Sequence, residues 1–260
     1  MQISIVAVHG LNPTNKQLHA EHTWTLGDKL WLRDFLPSKL PHARVLLFGY
    51  NSNIAFETSI AGVREQAANL LNRLSHKRGN AESRPIIFVA HSLGGIIIKR
   101  ALVEAKLDGT YEKILEATYG MAFFGTPHQG STFAKLGDVV VSVVRSVLHN
   151  PKNTFMDSLK KSSLFSDTIV DDFRHQVEKY QILSFYETQK TKNLGIVGTY
   201  ARYLLDTNLF RLWTRNLELL VFLATGRDRL LWKLTTTTSA SLQAQKVMIM
   251  SKFHPTLYGL

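Results

Sequence analysis

Five apolar residues, Ile86-Ile87-Phe88-Val89-Ala90, run without a polar break into His91-Ser92-Leu93-Gly94-Gly95. Opened by Pro85, this short β-branched and aromatic run reads as a buried strand, and Ile96 to Lys106 reads as the helix that follows it. A strand that turns directly into a helix leaves Ser92 on a sharp bend. Small residues are needed two positions either side of such a serine, or the two elements collide. Gly94 meets that need, and Ala90 departs from glycine by only one methyl.

The rest of the chain repeats the alternation. Ile3 to Val8 is a β-branched run that stops at His9-Gly10, and Arg44 to Tyr50 is a second run, after Pro41. Between Ser59 and Leu74 the apolar residues Ile60, Val63, Ala67, Leu70, Leu71 and Leu74 recur every three or four positions, which predicts an amphipathic helix. It gives way to a polar loop, HKRGNAESR. Tyr119 to Phe124 is a further strand, closed by Gly125-Thr126-Pro127, and Gln181 to Tyr186 is a fifth. Strands separated by helices predict an α/β fold, a mainly parallel sheet with helices on both faces.

Beyond about Lys192 this regularity fades. A Leu, Arg and Trp-rich stretch, expected to be helical over 207–224, leads into the polar run TTTTSAS, and no strand has clear bounds. The 260 residues therefore divide into a domain over 1–197 and a divergent basic tail over 198–260, in which the fold is divergent or incomplete.

Several function classes fall away on composition. There is no cysteine, so disulfide scaffolds, thiol nucleophiles and cysteine-based metal centres are excluded. His19 and His22 flank Glu21 in LHAEHTW, which is not a metal-binding spacing, and no metal is expected. The net charge is +11, yet from Thr188 to Leu260 ten basic residues face three acidic ones, so +7 of it sits in the tail. A lopsided tail is a weaker sign of nucleic acid than a basic face, and no nucleic-acid partner is expected. An amphipathic basic tail does suit a peripheral contact with a membrane surface. The start, MQISIVAVHG, has no basic segment or cleavage site, so secretion is not expected. The pattern sets no oligomeric state.

Chemistry concentrates at Ser92. A helix beginning just after it points backbone N–H groups at the reaction centre. The early His9-Gly10 turn after the first strand offers another backbone donor, so the Leu11 and Leu93 N–H groups together would form an oxyanion hole. His9, Gly10, His91 and Gly94 would line this elbow and pocket.

VHGLN, TWT, WLRDFLPSKLP, FGYNS, AHSLGG, FFGTPHQGS and ILSFYET occur in one order. Over roughly residues 1–197 the chain resembles the fungal serine-esterase/lipase-like family of the α/β-hydrolase superfamily, itself similar to the serine active site-containing proteins of mitochondria and endoplasmic reticulum. The resemblance implies the α/β-hydrolase fold, a Ser-acid-His triad, an acyl-ester or lipid substrate and no cofactor. An intracellular place is expected, in the cytoplasm or, as the resemblance implies, at a mitochondrial or endoplasmic reticulum membrane. Ser92 would be the nucleophile. Glu187, closing ILSFYE where the family carries the same residue, would be the acid, and His128 matches a family loop histidine near the pocket.

The family's late Asp-His pair has no counterpart, because no Asp is followed by His anywhere in the sequence. His254 is then the candidate base by elimination, since it alone among the histidines follows Glu187. The alternative reading is a catalytically inactive hydrolase domain that serves as an interaction module.

Overall fold

The computed structural model describes residues 2–12, 16–52, 60–126, 172–186 and 248–251. Its main sheet has six strands: β1 (Ser4–Val8), β4 (Arg44–Phe48), β5 (Ile86–His91), β6 (Thr118–Phe124), β7 (Gln181–Tyr186) and β8 (Met248–Ser251). Their order is β4-β1-β5-β6-β7-β8. The first five run parallel and only β8 is antiparallel. A separate two-stranded ribbon is formed by β2 (Thr25–Leu26) and β3 (Lys29–Leu30).

Successive strand side chains point to opposite faces of a sheet, and here each face has its own core. Val6, Val8, Phe88, Ala90, Met121 and Phe123 point to one side, where α4 (Ile60–Arg78), α5 (Leu93–Leu107) and α6 (Glu112–Ala117) cover them. Ile5, Ala7, Ile87, Val89, Ala122 and Phe124 point to the other. There Trp24 packs with α2 (Trp31–Asp34) and α3 (Leu36–Lys39), the Trp24 and Trp31 rings meeting edge to face at 6.4 Å. A short helical turn, α1 (His19–His22), precedes them. Central strands buried on both faces explain why β1, β5 and β6 read as continuous apolar runs. The fold class is α/β, as expected.

The elements differ from expectation mainly at their ends. The second strand stops at Phe48, and Gly49-Tyr50 already leaves the sheet. The helix read over 59–74 continues to Arg78, through the first third of the expected loop, and stops at Gly79-Asn80. α5 starts at Leu93, directly after Ser92. From Leu93 to Val103 it is buried on every side, as a helix sunk between a sheet and another helix must be. Even Lys99 and Arg100 are buried, the first over the Phe123 ring and the second paired with Glu104. Of the tail, the described residues include only β8, which pairs with β7, a strand the sequence did not signal. The expected helix over 207–224 lies outside the described residues, as does most of 198–260. Among the described residues no helix is long and apolar enough to cross a membrane.

Arg78 shows why a charged stretch need not be a solvated loop. It is 3% exposed and donates to Ser4 Oγ at 3.2 Å, the Glu82 carbonyl at 2.7 Å and the Arg84 carbonyl at 2.6 Å. One guanidinium thus joins the end of α4 to the start of β1 and to the turn that feeds β5. Replacing it by methionine strands three acceptors. The Arg78→Met variant is expected to lose about 2–4 kcal/mol of stability, read as a lower urea midpoint at an unchanged slope.

Candidate active site

The chain leaves β1 toward β4 on one side, then returns past β1 to place β5, β6 and β7 on the other. Strand order therefore reverses between β1 and β5. In open α/β sheets the crevice at the carboxyl ends of the strands at such a reversal is where ligands bind. Val8 of β1 stands level with Phe48 of β4 and with Ala90 of β5, so the turns that follow these strands meet at one edge. They carry His9-Gly10-Leu11, Gly49-Tyr50 and Ser92.

Ser92 has φ 51° and ψ −121°, a backbone conformation that side chains rarely adopt. Such a residue costs of order 1–3 kcal/mol and persists only where its surroundings over-determine it. Here they do. The Ser92 N–H donates to the Phe124 carbonyl at 2.9 Å, and the Ser92 carbonyl accepts from the Gly95 N–H and from Thr126 Oγ1, each at 3.1 Å. Ser92 itself is 7% exposed.

Three glycines allow the turn to close. A Cβ on Gly94 would stand 2.5 Å from the His9 carbonyl oxygen and nearer still to that of Val8. On Gly10 it would stand 2.9 Å from both His91 Nδ1 and Ser92 Cβ, and on Gly95 it would overlap the Thr126 side chain. The start of α5 and the end of β1 thus touch backbone to backbone. Gly10 and Gly94 were expected to line the elbow, and both lie within contact of it. Thr126 was not singled out from the sequence. Its only signal was its place after the fourth predicted strand, in GTP.

His9 is held on every side. Its Nδ1 lies 2.7 Å from the Gly10 carbonyl and its Nε2 lies 3.2 Å from the Tyr50 N–H. A carbonyl can only accept and an amide can only donate, so Nδ1 carries the proton and Nε2 offers its lone pair. The ring is neutral, with both nitrogens engaged by backbone. It stacks on Tyr50 at 4.2 Å and meets the edge of His19 at 5.1 Å. Burial pushes its pKa down to about 4. His19 is lowered to about 4 as well, mainly by burial, with the Leu11 backbone beside it opposing the shift. His91, against Gly10, is lowered by burial to about 3, and its Nε2 has no hydrogen-bond partner among the described residues.

Leu93 is buried at the first position of α5, and Leu11 is half-buried two residues beyond His9. Glu187, His128 and His254 lie outside the described residues. β7 ends at Tyr186, so Glu187 directly follows a strand that reaches the same edge as Ser92. Among the described residues no group of three His, Asp or Glu could hold a metal ion.

Two outcomes test this arrangement. Gly94→Ala pushes a methyl into rigid backbone and is expected to cost about 3 kcal/mol or to abolish soluble expression, measured by urea unfolding. The second concerns acid. His9 and His91 are 2% and 5% exposed and their pKa values lie below the ordinary 6.5, so from pH 6.5 downward the unfolded chain takes up protons that the folded chain refuses. Their stabilising effect is complete above pH 6.5. It declines by roughly 1.4 kcal/mol per pH unit for each histidine, until about pH 4 for His9 and about pH 3 for His91. Urea midpoints at pH 7, 6 and 5 are expected to fall in step, and equal midpoints would count against this burial.

Residues 4–167 match the family described as "Putative serine esterase (DUF676)". Protein SERAC1 of Mus musculus is 26% identical over 166 residues, 62% of this chain and 24% of that protein. Protein SERAC1 of Homo sapiens is 25% identical over 166 residues, with the same shares. The chain spans about a quarter of the length of the curated relatives it matches. Among solved structures, a cutinase-like protein from Cryptococcus sp. aligns at a TM-score of 0.46 and 13% identity, over 85% of this chain and 94% of that one. Lipase BlEst2 of Bacillus licheniformis aligns at 0.44 and 20% identity, over 78% and 73%. With a family match covering more than half of its length, this chain, an α/β fold built on a mainly parallel sheet, belongs to this serine esterase family.

Proposed function

We propose that the protein is a serine hydrolase that cleaves carboxylic esters of lipids or other hydrophobic acyl groups. The observation that carries this reading is Ser92. It stands at a left-handed turn between a central strand and a buried helix, at the edge where strand order reverses, in a chain of a serine esterase family. A serine hydroxyl attacks at neutral pH only when a neighbouring base takes its proton. Ser92 Oγ would give its proton to an imidazole and bond to the ester carbonyl carbon. The Leu11 and Leu93 N–H groups would hold the oxyanion. The carbon–oxygen bond to the alcohol then breaks, the alcohol leaving with the proton, and water releases the acyl group by the same steps. Glu187 is the proposed orienting acid and His254 the proposed base. His9 is unsuited to that task, because the Tyr50 amide already occupies its free lone pair.

A second reading, an inactive domain used as an interaction module, is favoured by the path of β8. Met248 pairs with Tyr186 at the carboxyl edge and Ser251 with Leu183, so the chain is heading away from that edge three residues before His254. Together with the absence of an Asp-His pair, this leaves the base as the weak point of the triad.

Labelling with a fluorophosphonate separates the two. The hydrolase reading expects rapid labelling of the wild type, loss in Ser92→Ala, and a fall of about 10³-fold or more in Glu187→Gln or His254→Ala if those residues complete the triad. Folded wild-type protein that stays unlabelled would overturn it in favour of the module.

A further inference from the structure

Tyr50 leaves the sheet two residues after β4 and takes no part in the chemistry proposed above. Yet it makes three contacts with one residue of the neighbouring turn. Its N–H donates to His9 Nε2 at 3.2 Å, its hydroxyl donates to the His9 carbonyl at 3.0 Å, and its ring stacks on the imidazole at 4.2 Å with 15° between planes. Tyr50 in turn stacks on Phe48 at 5.6 Å, so the grip is anchored in the core end of β4. Burial keeps the phenol protonated well beyond its ordinary range, so the hydroxyl remains a donor.

What Tyr50 grips is a piece of chain with little freedom to spare. The His9 carbonyl that accepts from the Tyr50 hydroxyl lies on the side of the peptide that feeds Gly10, and Gly10 rests against Ser92 Cβ. The same carbonyl oxygen is one of the two that a Cβ on Gly94 would strike, beside that of Val8. One residue further on is Leu11. On its far side Asn12 closes the loop by accepting from the Lys16 N–H and donating to the Lys16 carbonyl, both at 2.9 Å. The turn is therefore fixed at both ends, by Tyr50 through His9 and by Asn12 through Lys16.

We propose that Tyr50 is a positioning residue that holds the His9-Gly10-Leu11 turn in register with Ser92, so that the Leu11 N–H stands where an oxyanion develops. This deepens the hydrolase reading and rests on it. A donor aimed at developing charge acts mainly in the transition state, so a small displacement lowers kcat more than it raises KM. Asn12 and the ring stack hold the turn approximately, and the Tyr50 hydroxyl sets the peptide plane.

Tyr50→Phe removes the hydroxyl while keeping the stack and the backbone donor. The control is Tyr111→Phe, which removes a hydroxyl bonded to Asn72 at 2.8 Å, beyond the far end of α5. The rate of Ser92 labelling by a fluorophosphonate, the melting temperature and the amide resonances of Gly10 and Leu11 are compared in the full chain. Tyr50→Phe is expected to label roughly fivefold more slowly, the factor for one lost hydrogen bond, with displaced Gly10 and Leu11 resonances. Tyr111→Phe is expected to label at the wild-type rate whatever its melting temperature. A wild-type rate in Tyr50→Phe overturns the proposal, and so does a slower rate with unmoved resonances. If the wild type does not label at all while the resonances still move, the hydrolase reading fails and the grip of Tyr50 on the turn stands.

Discussion

Everything at the candidate site follows from one close approach, that of the first turn of α5 to the end of β1. Gly94 lies against the Val8 and His9 carbonyl oxygens at a distance that admits no side chain. The helix can start there only because Ser92 takes up a left-handed backbone, and Ser92 keeps that backbone because Phe124, Gly95 and Thr126 hold its peptide groups. Strain at Ser92 and closeness at Gly94 are thus a single condition. Relax either, and the helix start would withdraw from the strand end.

Around this contact lies a set of polar rings kept uncharged. His9, His19 and His91 cluster beside Gly10 and Leu11, each with its protonation resisted chiefly by burial. Protonating His9 would set a charged N–H against the Tyr50 amide, two donors with nothing between them to accept. The wall of the site is therefore at once apolar in its energetics and specific in its hydrogen bonding, which holds one tautomer of His9.

Much of this was legible in the sequence because it is local. The apolar runs of β1, β5 and β6 are buried on both faces, so burial wrote itself as uninterrupted hydrophobicity, and the Ser92 turn announced itself by its small neighbours. The elements missed are those whose reasons are distant. α1, α2 and α3 are too short for a period to develop, and Trp24 and Trp31 reveal their packing only against the opposite face of the sheet. Arg78 looked like a loop charge because its acceptors, Ser4 among them, are far away in sequence or belong to backbone. Tyr50 and Thr126 sit in recognisable motifs, but what they hold lies 41 and 34 residues away.

The glycine contact also bears on how such a site can change. Its floor is made of main chain meeting main chain, and main chain is the same in every protein. Mutation can break that floor but has no means of reshaping it by degrees, since the smallest addition at Gly94 already overfills the space against fixed backbone. New preferences in the proposed ester hydrolysis must therefore be acquired at positions away from this glycine. The part of the molecule nearest to the reaction would be the slowest to diverge, and the part that chooses what reacts would be free to vary around it.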